Sequence, residues 1–368
     1  TRSEHGALPA QCPLGSADRI VSDWRFMDYR AGSGPCVRRC GRKKDRTMYS
    51  DTPLGRFRLP VICSPMFLVS GPDLVIAQCK AGVIGSFPAL NARESEGEPP
   101  LLEAWLKRIT EELDAHNQAN PDRPAAPFAV NQIVHRSNDR IERDVEICAR
   151  WKVPVWITSM GAREDVNQAA HDCGGIVLHD VINNKYASKA IDKGADGLIA
   201  VCAGAGGHTG ALSPFALVQE IREWFDGPLA LSGSIATGRA ILAAQAMGAD
   251  FGYIGSPFIA MTEAVASEDY KQMIVDGGAD DIVYTNYFSG VSANYLKPSV
   301  RAVGLDPDNL AGIGNKLDLA TGDIRPKAWR DIWGSGQGIG AVKEVMTTAD
   351  YVDRLDREYQ AAKDALCS

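Results

Sequence analysis

Residues 229–256 read LALSGSIATGRAILAAQAMGADFGYIGS. Leu229 to Ser232 and Phe251 to Ile254 are short, apolar and without alternation, the pattern of strands buried on both faces. Between them Arg239 to Met247 carries helical spacing and stops at Gly248, a residue free to close a helix in the left-handed conformation. Strand, helix, strand in so short a span predicts a parallel pair joined by a crossover helix.

The same unit recurs upstream. Val61 to Ser64, Gly82 to Ser86, Pro127 to Asn131, Pro154 to Thr158, Gly175 to Leu178 and Gly197 to Val201 read as further buried strands. Helical patterns fall at Glu98 to Ala119, Asp139 to Ala149, Arg163 to His171, Asn184 to Lys193 and Ser213 to Trp224. Alternation of this kind predicts an α/β protein, and the number of strands favours a TIM (β/α)8 barrel over a doubly wound sheet, which needs fewer. The expected organisation is an N-terminal extension over 1–59, a barrel over 60–280, and a mouth-covering segment with C-terminal helices over 281–368. Met261 to Asp276 reads as the last barrel helix. Asp281 to Pro307 has no steady period, and Gly340 to Thr347 and Tyr351 to Lys363 read as outer helices.

Composition sets limits. An apolar share of 45% over 368 residues excludes a disordered chain, and a net charge of -7 gives no reason to expect nucleic acid as a partner. No apolar run approaches the roughly 20 residues a membrane span needs. The polar start and nine cysteines, an odd number, fit a cytoplasmic protein without a disulfide framework. Cys63, Cys79, Cys148, Cys173 and Cys202 read as buried thiols. Cys12, Cys36 and Cys40 lie in a basic arm with Arg38, Arg39, Arg42, Lys43 and Lys44, read as a surface extension.

The working face of such a barrel is at the strand C-termini. Ser232-Gly233-Ser234 follows the seventh strand and Gly255-Ser256 the eighth, where backbone N–H groups can receive a phosphate; Thr237 and Gly238 open the intervening helix. After the sixth strand comes Cys202-Ala203-Gly204-Ala205-Gly206-Gly207-His208-Thr209-Gly210. Its glycines let backbone approach a flat ligand and leave His208 as the large polar side chain, the candidate acid, base or charge-tuning group. Of the other histidines, His5 and His116 read as solvated, and His135, His171 and His179 as local hydrogen-bonding residues, with His179 in reach of the mouth. Asp180 is the nearest candidate carboxylate. No metal cluster or nucleophile elbow is present.

Pro65-Met66, the Gly204 to Gly210 loop, Ser232-Gly233-Ser234-Ile235 and Gly255-Ser256 together resemble the signature stretches of the nitronate monooxygenase family, formerly 2-nitropropane dioxygenases, over about residues 55–310. The resemblance implies an FMN-dependent flavoprotein that oxidises alkyl nitronates with O2 to carbonyl compounds and nitrite. Carried over, Pro65 and Met66 border the isoalloxazine and Asn131 reaches its polar edge. Gly206 and Gly207 approach the cofactor, and Ser232, Gly233, Ser234, Gly255 and Ser256 hold its phosphate. His208 faces flavin and substrate. Many relatives carry Thr and Arg where this chain has Ser256 and Pro257, so a cationic phosphate contact is missing.

Two other readings stay open: an NAD(P)H-dependent flavin reductase acting on quinones or enoyl thioesters, and a non-redox phosphate-binding barrel. Tyr284 to Pro298 reads either as an aromatic lid or as a packing loop, and Lys297 either as an attractor for an anionic substrate or as a solvated side chain. A homodimer is left open.

Overall fold

The computed structural model describes residues 49–93, 100–310 and 328–367, all within the compact unit Asp45–Ser368. The basic arm with Cys12, Cys36 and Cys40, and His5, lie outside the described residues. Eight parallel strands form the barrel: β1 (Val61–Cys63), β2 (Gly85–Pro88), β3 (Phe128–Ile133), β4 (Val155–Ser159), β5 (Ile176–Val181), β6 (Gly197–Val201), β8 (Leu229–Ser232) and β9 (Phe251–Ile254). A short strand, β7 (Gly207–His208), stands outside the barrel, between β6 and β8 in the chain. The ring closes where Cys63 N–H donates to Ile84 O at 2.8 Å and Ile84 N–H to Val61 O at 3.0 Å. All the expected strands are present.

Alternation along these strands divides the core. Ile62, Ile84, Ala129, Val155, Ile157, Leu178, Ile199, Ala230 and Phe251 fill the barrel interior. Their outward neighbours pack against the helices. Below the interior, Leu54 and Phe57 close the N-terminal end, with Phe57 edge-on to Phe251 at 5.4 Å.

The crossovers are α1 (Pro72–Ala81), α2 (Leu101–Ala119), α3 (Ile141–Arg150), α4 (Glu164–Asp172), α5 (Asn184–Asp192), α6 (Pro214–Arg222) and α7 (Gly238–Met247). Gly248 closes α7 at φ 114°, as expected. After β9 come a single turn, α8 (Ser256–Ile259), and then α9 (Glu268–Asp276), so the helix expected from Met261 begins later.

The excursion folds into an antiparallel hairpin, β10 (Ile282–Thr285) and β11 (Ala293–Leu296), followed by α10 (Lys297–Ala302). The outer helix expected at Gly340 to Thr347 does not form. A 3-10 turn over Gln337–Ala341 leads into extended chain, and Met346 is held by Ala260 O and Thr262 N–H. These partners take the backbone groups a helix would use. The final helix, α11 (Thr348–Cys367), lies across α1 and α7. Arg58 anchors it through Asp353 and Asp356, and Tyr351 Oη donates to Ala236 O at 3.1 Å.

Candidate active site

One step beyond the apolar interior, the inward positions at the strand C-termini turn polar: Asn131, Ser159, Asp180, Ser232 and Tyr253, with Val201 among them. They floor a cavity of about 400 Å³ at the barrel mouth, within the range of small-molecule sites. Pro65, Met66, Leu90, Ile133 and Trp329 supply apolar wall. The residues expected to carry the cofactor and the chemistry line this one cavity: Pro65, Met66, Asn131, Gly206, Gly207, His208, Ser232, Gly233, Ser234, Gly255 and Ser256.

Met66 is fixed by a residue that sequence reasoning missed. Asn91 donates to Met66 O and Ser70 O, both at 2.9 Å, and accepts from Leu68 N–H at 2.9 Å. This stitching holds Leu68 at φ 64°, a conformation unfavourable for a branched side chain. Met160, Ser234 and Trp329, all on the cavity wall, also have positive φ, placing backbone strain around the mouth.

At the phosphate-type loops, the Gly233, Gly255 and Ser256 amides meet no backbone acceptor among the described residues, whereas Ser234 N–H contacts Gly204 O at 3.3 Å. The N-terminus of α7 does not join them. Glu358 of α11 accepts from Gly238 N–H at 2.8 Å and Thr237 Oγ1 from Ala240 N–H at 3.2 Å, so its first turn is already capped, in part by a carboxylate. In its place comes a segment the sequence reading passed over, residues 334–338. Gln337 N–H donates to Gly204 O at 2.9 Å, and Gly336 N–H to Ser256 Oγ at 2.8 Å. A Cβ on Gly206 would lie 2.8 Å from Gly336 N, so the two loops require glycine to meet. The density of glycine in Gly334-Ser335-Gly336-Gln337-Gly338 was the available signal.

His208 sits on β7, which extends the β10–β11 hairpin by pairing with Ala293 and Asn294. Its Nε2 is 3.0 Å from Ser289 Oγ, and its ring meets Trp329 edge-on at 5.2 Å. Ser289 has one proton, and Val291 O, 3.0 Å away, can only accept it. Nε2 therefore carries the hydrogen and donates to Ser289, leaving Nδ1 with the lone pair. Burial holds the His208 pKa below its ordinary value, which keeps the ring neutral near pH 7.

The same accounting fixes Asn131. Its Nδ2 donates to Ile157 O at 3.1 Å and to Ser159 Oγ at 2.8 Å, so its oxygen is the group left for the cavity. Asp180 is pushed up to about 6 by burial, against the opposing pull of Ser159 and the Met160 backbone. The neighbouring His179 does not reach the mouth. It is buried facing outward, bonded through Nδ1 to Thr158 Oγ1 at 2.6 Å and pushed down to about 4. His135 and His171 bond locally, to Ser137 and Asp196.

No residue of the excursion between 281 and 307 lines the cavity; the hairpin buttresses the His208 loop from behind. Lys297 pairs with Asp308 at 3.1 Å and is not an attractor at the mouth. Among the described residues no Lys or Arg lines the cavity. Among the described residues no His, Cys, Asp and Glu cluster could hold a metal, and no helix is long and apolar enough to cross a membrane.

Residues 52–358 match the family profile of nitronate monooxygenase. The chain belongs to the nitronate monooxygenase family. It is 25% identical over 359 residues to a nitronate monooxygenase of Paraburkholderia phytofirmans, covering 85% of this chain and 96% of the relative. It is also 25% identical over 237 residues to a hydroxy-methyl-oxo-octahydroindene-carboxyl-CoA dehydrogenase of Rhodococcus jostii, covering 64% of this chain and 62% of that protein. In fold it resembles FabK from Thermotoga maritima, with TM-score 0.67 and 24% identity over 87% of this chain and 98% of that one. Nitroalkane oxidase of Streptomyces ansochromogenes gives 0.66 and 22% over 86% and 99%. Family membership makes this protein an enzyme, a flavin-dependent oxidoreductase on a barrel.

Proposed function

We propose that the protein binds FMN in the barrel-mouth cavity and oxidises alkyl nitronates with O2 to carbonyl compounds and nitrite. The observation that carries this reading is the convergence, in one cavity, of free amides after β8 and β9, an apolar wall, and a neutral histidine with a defined lone pair. The group fits the residues present. Gly233, Gly255 and Ser256 would hold the phosphate, with backbone dipoles replacing the missing cation. Pro65 and Met66 would border the ring, Gly206 and Gly207 would approach it, Ser232 would flank it, and the Asn131 oxygen would accept from an N–H at its polar edge. FMN, when bound, supplies the electron chemistry.

His208 then governs charge at the substrate. A neutral nitroalkane can lose its α-proton to Nδ1, while a nitronate binds best when Nδ1 is already protonated; both routes give the same imidazolium–nitronate pair. Opposite pH dependences follow. Turnover of the nitroalkane rises to a plateau as pH passes a midpoint below the ordinary histidine value, and apparent nitronate affinity falls over the same range.

A second reading, an NAD(P)H-linked reductase or dehydrogenase of acyl thioesters, is favoured by the similarity to the CoA-thioester dehydrogenase. Anaerobic mixing separates the two. Bleaching of the yellow protein by a nitronate, followed by nitrite release on admitting O2, is the expected result. Rapid bleaching by NAD(P)H with none by nitronate overturns the proposal in favour of the reductase.

A further inference from the structure

The floor of the cavity holds a carboxyl group that the reaction above does not use. Asp180 and Asn131 line the same floor, on β5 and β3, with Ser159 of β4 between them. Ser159 Oγ accepts from Asn131 Nδ2 at 2.8 Å, and the Ser159 hydroxyl and the Met160 backbone lie near enough to the Asp180 carboxyl to oppose the effect of its burial. With these donors in place, Asn131 presents a carbonyl oxygen to the cavity and Asp180 presents either an acceptor or, when protonated, an O–H donor.

The surroundings favour the protonated form. Among the described residues no Lys or Arg lines the cavity to pair with a carboxylate. From β9, Tyr253 faces Asp180, with Cys63 of β1 behind it, and burial raises both of their pKa values, so neither supplies a positive charge. His208 looks in from β7 with its pKa lowered, and His179 on β5 is turned outward and neutral. Burial pushes Asp180 itself up to about 6.

An acceptor beside a donor matches a particular ligand edge. An imide, O=C–NH–C=O, offers one N–H flanked by carbonyls, as on the pyrimidine ring of a flavin. If the phosphate lies at β8 and β9, the far end of a flat ligand lies toward β3 and β4, opposite in the ring, which carry Asn131 and Ser159, with Asp180 on β5 beside them. Resting on the flavin reading above, we infer that Asp180 binds the flavin as a neutral acid, donating its O–H to an imide carbonyl while Asn131 accepts the imide N–H, so that flavin uptake by this chain consumes a proton.

Riboflavin is the probe of choice, because the phosphate of FMN has its own ionisation near pH 6. Quenching of riboflavin fluorescence by the full-length chain, freed of flavin, is titrated from about pH 5 to about pH 8. If only the protonated acid binds, Kd rises about 100-fold across this range. Asp180→Asn keeps a donor that cannot ionise, so its Kd stays flat with pH, whereas Asp180→Leu binds weakly throughout. An Asp180→Asn variant that keeps the wild-type slope assigns the proton to another group, His208 first, and overturns the inference. Calorimetry of the unmodified protein in buffers of different ionisation enthalpy at about pH 7 reads the same event without a variant. Uptake of about one proton per riboflavin supports the inference and none overturns it. Failure of both riboflavin and FMN to bind at any pH overturns the flavin reading and this inference together, whereas tight, pH-independent binding overturns this inference alone.

Discussion

Replacing Ser289 by Ala tests the role of His208 without touching the histidine. In the native site Ser289 Oγ accepts from His208 Nε2–H at 3.0 Å. That bond exists in both protonation states of the ring but is stronger to the imidazolium. A hydrogen bond to a charged group contributes about 1.5–3 kcal/mol and a neutral one about 0.5–1.5 kcal/mol, so Ser289 favours the protonated ring by about 1 kcal/mol. Its removal lowers the His208 pKa by about 0.7 units, since one unit corresponds to about 1.4 kcal/mol. The bond to Val291 O and the long contact from Tyr295 Oη at 3.4 Å are lost as well. These bonds are partly exposed, so the fold survives. The assay is the pH profile of kcat/KM under air, measured separately for a neutral nitroalkane and for its preformed nitronate. With the nitroalkane, the plateau falls about fivefold and begins at lower pH, while Ser289→Thr, which keeps the hydroxyl, restores both. With the nitronate, the acidic limb moves to lower pH in parallel. Equal losses on the two substrates with no movement of either limb would show that Ser289 only shapes the loop, and would refute the assignment of the free lone pair to Nδ1.

Other outcomes are equally specific. His208→Asn retains the bound flavin spectrum but loses the opposed pH limbs of the two substrates; a variant that keeps both limbs removes His208 from the chemistry. Asp180→Asn stabilises the flavin-free protein at neutral pH by about 3 kcal/mol, because the native carboxyl titrates about two units above its unfolded value. The gain is absent below about pH 4, grows as pH rises, and is complete above about pH 6; urea unfolding at two pH values checks the sign. Gly206→Ala forces the loop against Gly336 N, and the purified protein should be colourless while its far-ultraviolet circular dichroism is unchanged. Asp250→Ala removes the carboxylate 2.7 Å from the half-buried Arg222 guanidinium, which keeps its backbone carbonyl partners, and leaves Leu229 N–H and Tyr49 Oη without that acceptor, for a loss of about 3 kcal/mol in chemical denaturation.

The barrel strands were legible because a strand covered on both sides is apolar at every position, a signal that needs no knowledge of its partners. The same rule hid α1. Leu74, Val75, Ile76, Gln78 and Cys79 are all buried, since α11 covers the face that a barrel helix ordinarily shows to solvent, and no polar stripe remains to give a period. The glycine loops after β6, β8 and β9 could be placed at the mouth from chain order alone. Residues 334–338 could not, because nothing local indicates that a segment beyond the hairpin returns to touch Gly204 and Ser256. His179 and Asp180 show what strand register decides. They are adjacent in sequence, yet alternation sends the first into the helix layer and the second into the cavity. The missing Glu358 contact has a similar origin: the turn opening α7 looks like an anion site until the carboxylate from the last helix is seen to occupy it.

The pairing of β7 with β11 places the control of His208 outside the barrel. The imidazole takes its bearing from Ser289, on a hairpin tip encoded eighty-one positions downstream and contributing nothing to the eight-stranded ring. Frame and aim are thus separately heritable. Changes of length or sequence at residues 286–292 can then retune the basicity and bearing of the imidazole while the barrel keeps its stability, and a library confined to that tip is the economical way to alter this side of the cavity.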